Sequence, residues 1–237
     1  MTSFNLNSLK DSENYILADS YKVISKILHH SDHKPLHLFL DEDIEFPENL
    51  ESFFPSKSRV DFSEIPGAKY HKGIIGVFEK NQNQELKIIP PFVILNGVTS
   101  PENVGAIVRT ISGLGFKTLI FDNKSVSPYL RRCIRVSMGN FVFLNIYKCD
   151  DLKKLINNSP YPIYATANDP SAISLNNWNP EKQSGFIIGS EGHGMDEEIK
   201  GLCDLTVKIP IKMEVQHLNA GHSCAIIASR YLFDITD

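Results

Sequence analysis

The sequence predicts an α/β protein of two domains, the second built on a helix-flanked, largely parallel sheet. Three observations carry this. Short apolar runs alternate with helical patterns across residues 91–237, as β-α-β units require. The stretch 80–85 (KNQNQE) is polar and aperiodic, and Pro90 and Pro91 follow it, which marks a domain boundary. The chain has 237 residues, 42% hydrophobic and 22% charged, which is globular composition with length enough to bury a core. The expected domains are 1–85, a small α/β unit, and 91–237.

In chain order, residues 13–30 (ENYILADSYKVISKILHH) read as one amphipathic helix, with Ile16, Leu17, Val23, Ile24, Ile27 and Leu28 as its apolar face. LHLFL at 36–40 is a buried-strand pattern. Residues 41–51 hold six acids and read as an exposed loop entering a short helix. SRVDF (58–62) and GIIGVFE (73–79) complete the first domain as strands. The second opens with FVILN (92–96), a continuous apolar strand. Ser100 caps and Pro101 starts the next helix, whose apolar face is Val104, Ile107, Val108, Ile111 and Leu114, and Gly115 ends it. KTLIF (117–121), VFLNIY (142–147), PIYAT (162–166), GFIIG (185–189) and VKIPI (207–211) read as further strands. A terminal helix over 218–234 is rich in small residues.

Charge and cysteines narrow the class. The net charge is −4, and no run approaches the 18 apolar residues of a membrane span. The first residues lack the basic and apolar stretches of a secretory leader, and Cys133, Cys149, Cys203 and Cys224 form no C-x-x-C pair. The expected setting is therefore cytoplasmic, with reduced thiols. His29, His30, His33 and His37 lie close together, but Pro35 breaks any helical ligand face, so no metal is expected. Between 103 and 148 seven basic residues, Arg131, Arg132 and Arg135 among them, meet one acid, Asp122. Such an excess can hold a phosphate backbone, and it also fits a solvated basic surface.

Three segments carry chemistry. In NVGAIVR (103–109), Arg109 lies about one helical turn beyond Gly105, after a loop at the carboxyl end of a strand, where open α/β sheets build their sites. Arg109 can grip a phosphate and Asn103 a hydroxyl; the same residues also suit a plain surface and a turn. GSEGHG (189–194) offers backbone that a ligand can approach closely, but is neither a phosphate loop nor a dinucleotide fingerprint. Ile209-Pro210 and His217-Leu218-Asn219 precede the small-residue helix, which lets another backbone pack close.

Taken together, these segments resemble the SpoU/TrmH family of S-adenosylmethionine-dependent RNA ribose methyltransferases. Asn103 to Arg109 matches its first motif, Gly189-Ser190-Glu191-Gly192 with Gly194 its second, and Ile209-Pro210 with Leu218-Asn219 its third. RVSMG (135–139) matches a segment between the first two, and Tyr70-His71-Lys72-Gly73-Ile74 a segment closing the family's small substrate-binding domain. The resemblance implies a trefoil-knotted methyltransferase domain, a homodimer, and methyl transfer to a ribose 2′-hydroxyl, with ribosomal RNA preferred to transfer RNA. It makes Arg109, Asn103, Glu191 and Asn219 catalytic. Gly189, Ser190, Ile209, Pro210 and Leu218 would hold the cofactor, and Arg109, Arg131, Arg132 and Arg135 would meet RNA. In the third motif His217 and Gly221 stand where the family carries serines. That departure is the only support for a rival, a non-catalytic RNA-binding or ribosome-assembly factor of the same fold. A nicotinamide-dependent oxidoreductase ranks far below, for want of G-x-G-x-x-G after the first strand.

Overall fold

The computed structural model describes residues 14–45, 47–62, 73–81, 86–190, 192, 194–212 and 217–232. They form two compact units, Met1–Glu85 with Tyr129–Phe143, and Leu86–Pro128 with Leu144–Asp237.

The first unit holds β1 (Tyr15–Ala18), α1 (Tyr21–His30), β2 (Pro35–Asp41), α2 (Glu48–Glu51), β3 (Lys57–Val60) and β4 (Ile74–Glu79). Its sheet runs β1-β4-β2-β3, with β4 antiparallel to both neighbours and β2 parallel to β3. The single helix expected over 13–30 is in fact a strand and a helix. Ile16, Leu17 and Ala18 pair with Phe78, Val77 and Gly76, and Ser20 then caps α1 by accepting from Val23 N–H at 3.4 Å. Tertiary pairing overrides the helical spacing there. Val23, Ile24 and Ile27 bury the inner face of α1, and Ile24 packs where a Cβ on Gly76 would sit 3.0 Å from it. Leu17, Phe39, Phe62, Ile75 and Val77 form a second apolar cluster of this unit.

The second unit holds β5 (Phe92–Asn96), α3 (Pro101–Gly113), β6 (Thr118–Asp122), β7 (Asn145–Cys149), α5 (Leu152–Asn157), β8 (Ile163–Thr166), β9 (Ile173–Ser174), β10 (Gly185–Gly189), α6 (Glu197–Gly201), β11 (Leu205–Lys208) and α7 (Ala220–Ser229). The remaining helix, α4 (Arg131–Val136), belongs to the first unit. Seven parallel strands run in the order β7-β6-β5-β10-β8-β11-β9. Phe92, Ile94, Ile120, Ile163, Ala165 and Ile187 pack one face of the sheet against Leu152 and Ile156 of α5 and Ile199 of α6. Alternation turns Val93, Leu95 and Phe186 to the other face. There α7 packs on α3 and on β10.

Three strands shift from expectation. β7 begins at 145 rather than 142, because Asn140–Phe143 forms a 3-10 turn whose Phe141 is buried in the first unit near Tyr129 and His33. β11 spans 205–208 rather than 207–211, and β9 was not foreseen at all. The larger difference is segment Tyr129–Phe143, which the sequence places in the second domain and the fold places in the first. Its anchor is electrostatic and steric. Arg131 Nε and Arg135 Nη1 lie 2.5 and 3.7 Å from the carboxylate of Asp19, which is 5% exposed. Gly139, at φ +72°, sits so close to α1 that a Cβ would be 3.0 Å from Val23. The basic count between 103 and 148 therefore overstates free positive charge, since the neutralising carboxylate comes from position 19.

Among the described residues no helix is long and apolar enough to cross a membrane, and no group of His, Cys, Asp or Glu is placed to hold a metal ion. His37 instead sits between the Ser56 and Ser58 hydroxyls, each at 2.8 Å. Trp178 is core, packed edge-on to Tyr164 and Tyr231.

Candidate functional site

Parallel strands end together, so the loops after them meet at one edge of the sheet. The neighbours β10, β8 and β11 build a cleft there. Its wall is Thr166, Ala167 and Asn168 after β8; Ile188, Gly189, Ser190 and Gly194 around the end of β10; Val207, Ile209 and Ile211 along and beyond β11; and His217, Leu218, Ala220 and Ser223 at the start of α7. The cleft is open to solvent and has a volume of about 190 Å³.

The glycines have a local reason. Ser190 and Gly194 exchange two backbone hydrogen bonds of 3.0 Å. A Cβ on Gly189 would lie 2.7 Å from Gly194 C and Met195 N, so no side chain fits there. Gly194 takes φ +72°.

The first and third motifs meet through two asparagines. Ser100 caps α3, accepting from Asn103 N–H at 3.3 Å. Asn219 caps α7, its Oδ1 accepting from Gly221 N–H at 2.9 Å and His222 N–H at 3.2 Å. Its Nδ2 donates to Asn103 Oδ1 at 2.7 Å. A Cβ on Gly221 would stand 3.2 Å from the Ala106 Cβ, so the helices touch where the sequence runs to small residues. Packing accounts for Gly221. One turn on from Gly105, Arg109 is exposed, and its guanidinium bonds to none of the described residues.

Of the five positions assigned to the cofactor, Gly189, Ser190, Ile209 and Leu218 line the cleft, whereas Pro210 is exposed between Ile209 and Ile211 and outside the lining. Glu191 lies outside the described residues, as do His193 and residues 70–72. Arg131, Arg132 and Arg135 belong to the first unit, and the first and last of them are committed to Asp19.

One structural network escaped the sequence reading. Asp122, buried at the end of β6, accepts from Asn96 Nδ2 (2.9 Å), Gly97 N–H (3.1 Å) and the Ser125 hydroxyl (2.7 Å). Asn96 Oδ1 accepts from Asp196 N–H at 3.0 Å, and Lys124 pairs with the Asp196 carboxylate at 2.7 Å, holding its carboxyl below the usual range. The loops after β5, β6 and β10 are thereby tied together. Its signal was present: an asparagine and an aspartate each close an otherwise apolar strand.

Comparison with known proteins is decisive for the family. The profile of the SpoU rRNA Methylase family matches residues 90–229. The chain belongs to the SpoU family. The match spans all seven strands of the parallel sheet and all three motifs. Among SpoU relatives, the 23S rRNA (guanosine-2′-O-)-methyltransferase RlmB of Neisseria meningitidis serogroup B is 24% identical over 192 residues, 77% of this chain and 76% of its own length. The SpoU methyltransferase AviRb of Streptomyces viridochromogenes, solved with AdoMet, superposes with a TM-score of 0.82 at 19% identity, over 98% of this chain and 96% of its own. A TrmH/SpoU tRNA modifying enzyme of A. aeolicus covers 59% of this chain and 72% of its own, with a TM-score of 0.53 at 24% identity.

Proposed function

We propose that this chain transfers a methyl group from S-adenosylmethionine to a ribose 2′-hydroxyl of RNA, and that its substrate is ribosomal RNA. RNA methylation is the chemistry of the family to which it belongs. The observation that carries the reading is the composition of the cleft. Its described wall holds no Lys or Arg to pair with a nucleotide phosphate or to repel a sulfonium cation. Ile188, Val207, Ile209, Ile211 and Leu218 supply an apolar slot for an adenosyl group, and Gly189 and Ser190 bring main chain to its edge. The residues present fit S-adenosylmethionine, which supplies a methyl group on a positively charged sulfur. A C-terminal segment threaded as a trefoil knot is part of the same proposal.

The chain's task is then alignment and charge. Holding the hydroxyl oxygen in line with the methyl–sulfur bond can supply roughly 7–11 kcal/mol of barrier reduction. Asn219, locked by its own cap and by Asn103, fixes the third motif against α3. Arg109 is permanently cationic and cannot act as a base. Exposed and unengaged by described residues, it suits the phosphate beside the target ribose.

Ribosomal RNA is favoured by coverage. The rRNA enzyme aligns over 77% of the chain, whereas the tRNA-modifying structure spans only 59%. The first unit is a candidate RNA-holding module. Around α1 it exposes Tyr21, Phe53, Met138 and Phe143, with His30 5.1 Å from the Phe143 ring and Lys26 5.8 Å from it. Exposed rings beside cations are what unpaired bases stack on. A homodimer and a cytoplasmic location belong to the proposal, the latter in keeping with four unpaired cysteines.

The test is calorimetric titration with S-adenosylmethionine beside tritium-methyl transfer to purified ribosomal and transfer RNA. Binding with label on ribosomal RNA supports the reading. Label on transfer RNA alone refutes the substrate, and absence of cofactor binding refutes the whole.

A further inference from the structure

We propose that His217 is a further catalytic residue, the acceptor of the proton that the methylated hydroxyl must lose. The proposal rests on the methyl-transfer reading above. Among the described residues lining the cleft, His217 alone carries an imidazole, whose ring nitrogen offers a lone pair to a proton. Neither of its ring nitrogens is hydrogen-bonded to a described residue, which leaves a lone pair available to a substrate. Its place is fixed: two residues on, Asn219 is held by two accepted N–H groups and by its bond to Asn103, next to the helix that carries Arg109. The side chain is also exposed, so a proton taken from the substrate has a route to water.

The step balances. The 2′-oxygen forms a bond to the methyl carbon as the carbon–sulfur bond breaks, and that bond's electron pair returns to sulfur, which becomes neutral. The hydroxyl proton moves to the His217 imidazole and from there to solvent. Arg109 contributes charge and position, His217 the lone pair.

From the elements around it, the described lining presents no charged side chain to His217. The next titratable groups nearby in sequence are Lys212 and His222, both exposed, with Glu191, His193 and Glu214 outside the described residues. Binding therefore offers a test that does not need turnover. A sulfonium beside the imidazole disfavours its protonated form, so S-adenosylmethionine should bind more tightly as pH rises. S-Adenosylhomocysteine carries the same amino and carboxyl groups with a neutral sulfur and should lack that dependence.

The experiment is calorimetry at pH 5.5, 6.5 and 7.5 with each ligand, on the wild-type chain and on His217→Gln, in two buffers that differ in ionisation enthalpy. For the wild type we expect the ratio of the two affinities to shift about tenfold in favour of S-adenosylmethionine between pH 5.5 and 7.5, with protons released at the acid end. In H217Q that shift should vanish while both ligands still bind. Turnover should fall about 10²-fold or more, with the acid limb of the kcat profile lost. Because His217 is exposed, folding is not at stake. An unchanged shift in H217Q overturns the proposal and directs attention to Glu191, His193, Glu214 or His222. A flat ratio in the wild type, or full turnover in H217Q, overturns it too and leaves methyl transfer standing. If S-adenosylmethionine does not bind the wild type at all, the functional reading falls and this proposal with it.

Discussion

In the first unit one strand of four runs against the others, while in the second all seven run the same way. The parallel sheet delivers the loops after β10, β8 and β11 to one edge, where they make a cleft. The mixed sheet splits its loops between two edges and concentrates its exposed rings along a helix instead. The two sheets divide the labour. One unit owes its chemistry to strand direction, and the other offers a surface. The two also differ in what acid does to them. His33 and His37, both in the first unit, are held below the ordinary imidazole value of 6.5, chiefly by burial. In the second unit the shifted carboxylates, Asp169 and Asp196, are depressed by hydrogen bonds, led by Ser171 for the one and Lys124 for the other.

Four changes sharpen or break this division. Arg109→Ala should have the largest effect, a loss of about 10³-fold in methyl transfer. Cofactor affinity should change by less than about threefold, since Arg109 is not in the cleft wall. A parallel collapse of affinity would place the arginine on the cofactor instead. Gly189→Ala comes next. Its Cβ would meet main chain at 2.7 Å, so Gly194 and Met195 must move. Calorimetry should show S-adenosylmethionine binding weakened by about tenfold or more, equivalent to 1–3 kcal/mol of overpacking. Unchanged affinity would mean that the main chain at Gly194 and Met195 plays no part in binding.

Asp19→Asn strikes the other unit. It leaves Arg131 and Arg135 without their carboxylate, at a cost of about 2 kcal/mol, below the 3–5 of a fully buried pair because both arginines reach solvent. Chemical denaturation followed by hydrogen exchange should show the loss in β1 and α4 and not in β5 or β10. The smallest effect is that of mild acid. A histidine with a lowered folded value binds fewer protons than its unfolded counterpart below pH 6.5, so stability falls as pH drops. Between pH 7 and 5.5 the first unit should lose stability, and the second should hold until its depressed carboxylates begin to titrate at lower pH. If both units weaken together in that window, the separation of acid sensitivity is wrong.

The second unit was the more legible of the two. FVILN is buried from end to end and GFIIG up to its last glycine, and such runs announce a parallel sheet whatever surrounds them. The α3 helix was legible down to its Ser100 cap and its Pro101 start. Residues 15–18 were not, because YILA suits a helix as well as a strand and only β4, far along the chain, decides between them. Segment Tyr129–Phe143 was misassigned for the same reason: the carboxylate that holds it is at position 19. At the site, the motif glycines and asparagines could be named from sequence, but the bond between Asn103 and Asn219 joins residues 116 apart and no local pattern predicts it. Thr166 and Asn168 joined the cleft wall unannounced, since their contribution comes from strand order alone.

The return of Tyr129–Phe143 to the first unit bears on how the molecule is born. A ribosome releases the chain from its beginning, and a front module made only of leading residues could close as soon as it emerged. This one cannot. Asp19 waits for Arg131 and Arg135, and Val23 for Gly139, until β5, α3 and β6 have already been made. The two units must therefore mature in overlapping time, and a gene cut at residue 86 would yield a front piece lacking its own last helix.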